Sequence, residues 1–190
     1  MAETVQKNIV EFGLRNVYYA PVLTSGPASV TYGTPVSITG AVELSLETKG
    51  ELVEFSADDI TYFVSATNEG YEGTLKMALI PDQFKIDCLG EKLDQTSKVM
   101  VESAGEAEPK AFALMFEFQG DKKAVRHVLY HCKANRPKMA SATGKSPNTS
   151  ELSFRATPRM NDNRIKARST EGTPKETYDN WYTSVFVPAK

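Results

Sequence analysis

The chain has 190 residues, a mass of 20.9 kDa and a net charge of −2, and this length suits one domain with or without long arms. Charged residues make up 24% of the sequence, close to the average of globular proteins, which excludes wholesale disorder. No apolar run approaches the roughly 20 residues of a membrane-spanning helix. Cys88 and Cys132 are isolated and lack metal-ligand spacing, so we interpret them as free thiols of a protein made in a reducing compartment.

Charge is distributed unevenly along the chain. Residues 41–120 carry 16 acidic and 6 basic side chains, whereas residues 121–190 carry 14 basic and 6 acidic ones. The two parts either neutralise each other within one fold or create an acidic and a basic side, which would favour head-to-tail contacts between copies. The overall acidity argues against tight binding to nucleic-acid phosphates, because such binding needs a clustered basic surface.

The dominant hydrophobic period is two, which predicts half-buried antiparallel β-strands. The clearest alternating segments lie at residues 36–46, 74–79, 112–118, 127–135 and 151–156. Weaker strands are predicted near residues 14–22, 51–56, 60–65, 98–103, 163–168 and 183–187. A short connection containing Gly120 and Asp121 joins the runs 111–119 and 124–136, which predicts a β-hairpin in the core. One face of its second strand is predicted to hold Val128, Tyr130, Cys132 and Ala134.

Two short helices are predicted. Asp82 follows Pro81 and can cap a helix that ends near Gly90. Thr173 and Glu176 have the spacing of a capping box at the start of the second helix. The aromatic side chains that follow are predicted to share one face that packs into the core, in preference to a ligand platform; they are Tyr178, Trp181 and Tyr182.

Three segments lack strong periodicity and are predicted to be arms or loops that become ordered on assembly. They are residues 1–12, 23–35 and 137–150, which are rich in small polar residues, glycine and proline. The resulting division is an N-terminal arm of residues 1–12 and a single β-sandwich domain of residues 13–190.

No catalytic constellation, cofactor site or metal site is found in the sequence. His127 and His131 are four residues apart on a predicted strand, about 13 Å, so they cannot chelate one metal unaided and are interpreted as solvent-facing or interface residues. Asp58 and Asp59 are interpreted as turn formers. We therefore expect that the protein is not an enzyme and needs no cofactor.

Several segments, in their order along the chain, resemble the major tail proteins of long-tailed bacteriophages. They are GLRNVYYA at residues 13–20, NEGYEG at 68–73, ALIPDQF at 78–84, FALMFEFQGDKK at 112–123, RHVLY at 126–130 and YDNWY at 178–182. The resemblance implies a tail-tube subunit with a β-sandwich core and one or two short flanking α-helices. It also implies that six copies form a ring and that stacked rings form the tube through which DNA is ejected into the host.

The same resemblance implies where the protein acts and with which partners. The expected location is the tail of the virion, after assembly in the cytoplasm of the bacterial host. The expected partners are further copies of the chain, a tape measure protein and tail terminator or tip proteins, without a membrane. The alternative is a β-sandwich module that binds carbohydrate or protein through exposed aromatic residues such as Tyr18, Tyr19, Tyr71 or Trp181.

A tube that conducts DNA should not hold phosphates on its wall. Glu43 lies on the polar face of the predicted strand 36–46, and Glu47 lies just beyond it. We hypothesise that these two carboxylates face the lumen; the alternative is that both are ordinary charges on the outer surface.

Overall fold

The computed structural model describes residues 8–104, 108–139, 143 and 148–188, apart from the side chain of Ala57. The first strands are β1 (Glu11–Ser25), β2 (Val30–Tyr32), β3 (Val36–Ser37), β4 (Ala41–Lys49), β5 (Leu52–Ala57), β6 (Ile60–Ala66) and β7 (Gly70–Met77). The later strands are β8 (Lys92–Leu93), β9 (Met100–Val101), β10 (Phe112–Gly120), β11 (Val125–Ala134), β12 (Ser150–Ala156) and β13 (Lys166–Arg168). Two short helices complete the structure, α1 (Asp82–Phe84) and α2 (Lys175–Asp179). The prediction of a mainly β, antiparallel protein with short helices is confirmed.

One antiparallel sheet contains most of the strands. Its order is β2-β1-β10-β11-β12-β7-β4, with β3 also paired to β1 and β13 to β11. The sheet curves so that strands distant in its order approach each other. Leu14 of β1 and Leu44 of β4 accordingly pack against the same hydrophobic core. Within the described residues, β5 pairs only with β6, and β8 only with β9.

Two hydrophobic cores cover opposite faces of the hairpin formed by β10 and β11. The first core lies inside the curved sheet and contains Phe112, Leu114 and Phe116. The second core contains Met115 from the other face of β10 and is closed by Trp181 of the C-terminal segment. The predicted core hairpin is therefore confirmed, and so is the predicted core role of Trp181 and Tyr182, whereas Tyr178 belongs to neither core.

A β-bulge in β11 changes which side chains share a face. Phe112 is paired with Cys132 but Leu114 with Leu129, a shift of one residue in the register. As a result, Val128 and Tyr130 enter the second core, whereas Cys132 and Ala134 enter the first. The prediction that these four side chains share one face is wrong, because an inserted residue reverses the alternation.

The predicted strand over residues 36–46 is two strands. Gly40 has a φ of 80° and separates β3, which pairs with β1, from β4, which pairs with β7. A register shift between Ala41 and Glu43 turns Val42 outward, so that this side chain is 59% exposed. The predicted strand over residues 74–79 ends earlier than expected. β7 ends at Met77, and Leu79, which alternation places on the apolar face, is 70% exposed.

The helices form where they are predicted but begin differently. α1 continues directly as a π-helical turn (Lys85–Leu89) and ends at Gly90, whose φ of 81° suits glycine. Pro81 and Pro174 occupy the N-cap positions, and neither helix has a side-chain cap. The predicted capping box is therefore wrong. Residues 183–187 contain no strand, because this segment packs its Val185 and Phe186 against the second core.

The predicted arms are only partly described. Residues 1–7, 140–142 and 144–147 lie outside the described residues, so the division into an arm of 1–12 and a domain of 13–190 stays a prediction. Residues 23–35 are not a free loop, since Val22, Thr24 and Ser25 of β1 pair with β2.

A buried charge ties the core hairpin to the C-terminal segment. Glu117 of β10 is only 6% exposed and accepts hydrogen bonds from Asn16 Nδ2 (2.7 Å), Arg126 Nε (3.2 Å) and the Tyr182 hydroxyl (3.2 Å). The Arg126 guanidinium also lies 3.8 Å from the ring centre of Tyr178. Several partners therefore satisfy the buried carboxylate, as burial of a charge requires.

The two histidines are not a solvent-facing pair, and the alternative that they lie at an interface stays a prediction. The ring of His127 stacks on Phe116 with 5.0 Å between centroids, and its Nε2 is buried without a hydrogen-bond partner. Burial, followed by the nearby charges of Arg168 and Lys166, lowers the pKa of His127 to about 4. His131 is half-buried and its Nδ1 lies 2.9 Å from Thr157 Oγ1.

We expect Phe116→Ala to lower the free energy of unfolding by about 3–5 kcal/mol, because the ring is 1% exposed and its removal leaves a cavity. Phe118→Ala is the matched control and should cost less, because Phe118 is only partly buried. Urea melts of both variants measure the difference. A loss below about 1 kcal/mol for Phe116→Ala would contradict the core position of this strand.

We expect wild-type stability to fall as the pH decreases from 6.5 towards 4. Over this range the unfolded chain protonates His127 at its ordinary pKa of 6.5, whereas the folded protein resists protonation down to about 4. His127→Phe keeps the ring stack and removes this proton linkage. Urea melts at pH 7 and pH 5 should therefore differ less in the variant, by on the order of 1 kcal/mol. Equal pH dependence in both proteins would rule out this role for His127.

Candidate functional site: a projecting hairpin and a polar sheet face

β5 and β6 form a hairpin, called here the projecting hairpin, that belongs to neither hydrophobic core. Its two strands are joined by Asp58 and Asp59, with φ values of 53° and 61°. Positive φ at both central residues is the geometry of a type I′ turn, whose twist matches that of the flanking strands. The interpretation of these two aspartates as turn formers is confirmed.

Apolar side chains are exposed on both faces of the projecting hairpin. Phe55 and Phe63 are directly paired and share one face, while Leu52 and Val64 occupy the other. The exposed fractions are 60% for Phe55, 58% for Phe63 and 70% for Leu52. A group of large exposed apolar residues on this scale is typical of a surface that another protein covers.

The projecting hairpin continues a ribbon that begins inside the sheet. β4 and β7 pair from Ala41 and Met77 to Lys49 and Gly70. Beyond them, Glu69 N donates to Lys49 O (2.9 Å) and Thr67 N donates to Glu51 O (2.9 Å). The backbone ladder therefore runs from the core into the hairpin, which extends about 20 Å beyond it at the usual rise per residue.

The projecting hairpin is also acidic. Residues 51–66 contain four carboxylates and no lysine or arginine; the acidic residues are Glu51, Glu54, Asp58 and Asp59. A contact surface for this hairpin should therefore combine apolar groups with basic ones.

The second feature, called here the polar face, is the solvent side of β4, β7 and β12. Glu43 and Glu47 are both exposed on it, while Leu44 and Leu46 of the same strand pack on the first core. The structure thus brings the two proposed lumen residues to one surface. Which surface of an assembly they face stays a prediction.

The two carboxylates of the polar face have different surroundings. Glu43 accepts a hydrogen bond from Lys76 Nζ at 2.9 Å, and Lys76 also lies 3.8 Å from Glu151. Glu47 is directly opposite Glu72 in the ladder and forms no ion pair with a described residue. Lys49 Nζ lies 3.1 Å from Glu72 and offsets part of this like-charge contact. Glu47 therefore presents the less compensated charge of the two.

An open depression of about 490 Å³ lies at the polar face. Its charged lining residues are Glu47, Glu72, Lys133 and Arg155. Both signs of charge are interspersed around it, so it lacks the clustered basic charge that would hold phosphates.

The four aromatic residues named as ligand contacts of a carbohydrate- or protein-binding module are buried or half-buried. Tyr19 and Trp181 are buried, and the Tyr19 hydroxyl donates to Asp87 Oδ2 at 2.8 Å. Tyr18 is half-buried and stacks on Tyr182, with 4.7 Å between ring centroids. The half-buried Tyr71 ring lies 4.5 Å from Lys166 Nζ. These four residues therefore do not form the exposed ligand contacts of the alternative function.

The described residues contain neither a metal-ion cluster nor a membrane-spanning helix. Among residues 8–104, 108–139, 143 and 148–188, no group of three or more His, Cys, Asp or Glu could hold a metal ion. Within the same ranges, no helix is long and apolar enough to cross a membrane.

The sequence predicted the strands of the projecting hairpin but not its position outside the cores. The available signal was the presence of large apolar residues on both faces of a short hairpin with a two-aspartate turn. Such a pattern is equally typical of a strand buried on both sides, so periodicity alone could not separate the two cases.

A mainly β protein that carries an apolar hairpin outside its cores has the features of a subunit that assembles with other protein chains. The chain belongs to the phage tail tube protein family, whose sequence pattern it matches over residues 6–181. It is therefore a structural component of a phage tail, as the resemblance of its segments implied.

Two solved structures are similar to this chain. One is a chain of the anti-feeding prophage cap (the AFP tube terminating cap), with 10% identity and a TM-score of 0.44, covering 90% of this chain and 99% of that one. The other is a chain of the anti-feeding prophage baseplate, with 10% identity and a TM-score of 0.45, covering 88% and 99%. No curated protein matches the sequence significantly. The family membership therefore rests on the sequence match.

Proposed function

We propose that the protein is the repeating subunit of the tail tube, which self-assembles into rings of six that stack into a conduit for DNA. The observation that carries this proposal is the projecting hairpin. Its large side chains are exposed in the single chain, and an isolated two-stranded hairpin is at best marginally stable in water. Contact with a neighbouring copy buries these side chains and stabilises the hairpin.

The polar face is the surface that we assign to the channel. It carries carboxylates and only paired or dispersed basic groups, so phosphates that pass along it find no clustered basic charge. Sixfold repetition would turn Glu47, and to a lesser extent Glu43, into a ring of negative charge in each layer. Repulsion from such rings keeps DNA mobile in the tube.

The remaining parts of the proposal rest on the tail-tube family for the role and the partners, and on the sequence pattern for the division of the chain. The subunit has a structural and not a catalytic role, it contacts a tape measure protein inside the tube, and terminator or tip proteins bind at the tube ends. Assembly takes place in the cytoplasm of the bacterial host. Residues 1–12 act as an arm and residues 13–190 as one domain.

Substitution of the hairpin phenylalanines tests the assembly. Phe55→Ser with Phe63→Ser should leave the circular dichroism spectrum and urea midpoint nearly unchanged, because neither ring is in a core. The concentration needed for rings or tubes should rise at least about tenfold, which corresponds to a loss of about 1.4 kcal/mol per contact. Negative-stain microscopy and size-exclusion chromatography measure this concentration.

The matched control is Met160→Ser, which removes a large apolar side chain of similar exposure (64%) outside the proposed arms and contact surfaces. It should change assembly less than the hairpin variant does. If wild-type protein remains monomeric at high concentration, or if the hairpin variant forms tubes as readily as wild type, the proposed role of the hairpin is incorrect.

Charge reversal tests the channel surface. Particles carrying Glu43→Lys and Glu47→Lys should have tubes of normal diameter and eject DNA more slowly at low salt. The rate should recover as salt rises, because salt screens attraction between lysine and phosphate. Glu176→Lys on α2 is the control for a charge reversal elsewhere. Ejection at the wild-type rate over the whole salt range would place Glu43 and Glu47 outside the channel.

A further inference from the structure

A second surface with apolar character, called here the end groove, lies beside α1. It has a volume of about 580 Å³ and is lined by Leu79, Ile80, Leu89, Met100 and Met139, among others. Leu79 and Met139 are 70% and 94% exposed. The groove thus offers apolar side chains to a partner at a site that belongs neither to the hairpin nor to the polar face.

The end groove and the projecting hairpin lie at opposite ends of the same strands. The hairpin precedes Gly70, the first residue of β7, whereas Leu79 and Ile80 follow Met77, its last residue. Ser150, which also lines the groove, is the first residue of β12 and pairs with Met77. β7 has eight residues and therefore separates the two features by about 26 Å.

This placement prevents a hairpin from reaching the groove of its own chain. The same placement lets the hairpin of one copy meet the groove of the next when copies are arranged head to tail along the strand direction. Such a contact joins two different surfaces, and translation along the strand direction repeats it from copy to copy in an open stack.

The charges of the end groove suit an acidic apolar hairpin. Its basic lining residues are Lys85, Arg136 and Lys138, and its acidic ones are Glu91 and Glu102. Arg136 Nε lies 2.6 Å from Glu102, and Lys85 Nζ lies 2.7 Å from Asp82 outside the lining. The exposed Lys138 forms no ion pair with a described residue. The groove therefore offers basic groups beside an apolar floor, whereas the hairpin carries four carboxylates and no basic residue.

We propose that the end groove binds the projecting hairpin of the next copy of this chain. This inference rests on the proposed function and names the surface that receives the hairpin. Phe55, Tyr62 and Phe63 supply the apolar contacts to the groove, and the turn at Asp58 and Asp59 lies towards Lys85 and Lys138. Other occupants, such as a different tail protein or an apolar small molecule, are outcomes that the test below separates from it.

Cross-linking between the two surfaces tests the proposal. Ser56→Cys places an exposed thiol on β5 next to Phe55, and Lys138→Cys places one at the groove. The native Cys88 and Cys132 are buried, and burial raises the pKa of both thiols, so they do not compete for the reagent. A short bismaleimide added to assembled protein should give covalent species at successive multiples of the monomer mass on a denaturing gel.

The controls identify the geometry. Each single variant can give dimers at most, so a ladder beyond the dimer requires both surfaces. The pair Ser56→Cys and Lys175→Cys, with the second thiol on the exposed α2, should give no ladder. Circular dichroism melts of every variant establish that the chains are folded.

The outcomes separate this inference from the proposed function. Tubes with a ladder from the groove pair alone support both. Tubes without that ladder, or with an equal ladder from the control pair, overturn the groove assignment and leave tube assembly intact; the groove is then open to a different occupant. Wild-type protein that never self-associates overturns both.

Discussion

Burial of β10 and β11 on both faces is the constraint that organises this molecule. Phe116 on one face and Met115 on the other cannot both be buried by a single layer, so two separate cores are needed. The curved sheet supplies the first, and the C-terminal segment with Trp181 supplies the second. Glu117, buried at the same hairpin, requires the donors that Arg126 and Tyr182 bring from these surroundings.

This arrangement also explains why the projecting hairpin is outside. β10 is already flanked by β1 and β11, and both of its faces are occupied. The ribbon formed by β4, β7 and the projecting hairpin therefore contacts the core only through its inner half, β4 and β7. Its outer half retains the same apolar composition without a surface of its own chain to cover it. The exposed apolar surface therefore arises from the fold itself, and not from a separate domain.

Alternation in the sequence was sufficient to find the long strands of the large sheet, because each of these buries at least one face. It could not find the points where a residue is inserted, and so the bulges at Val42 and before Cys132 reversed the expected faces. It also could not determine the position of Phe55 relative to the cores, since exposure on both faces and burial on both faces give the same pattern. Glu43 and Glu47 share one face because they are four residues apart on one strand, whereas their position relative to a channel stays a prediction.

The continuous ladder from β4 and β7 into the hairpin has a mechanical consequence. A pull along the hairpin displaces both of its strands in the same direction, so the load falls on the ladder between β7 and β12, whose backbone hydrogen bonds lie perpendicular to the strands and are loaded together in shear. β7 is in turn held by β12 along its length, which spreads the load into the sheet. A filament joined through these hairpins would resist axial tension while its individual subunits kept their fold.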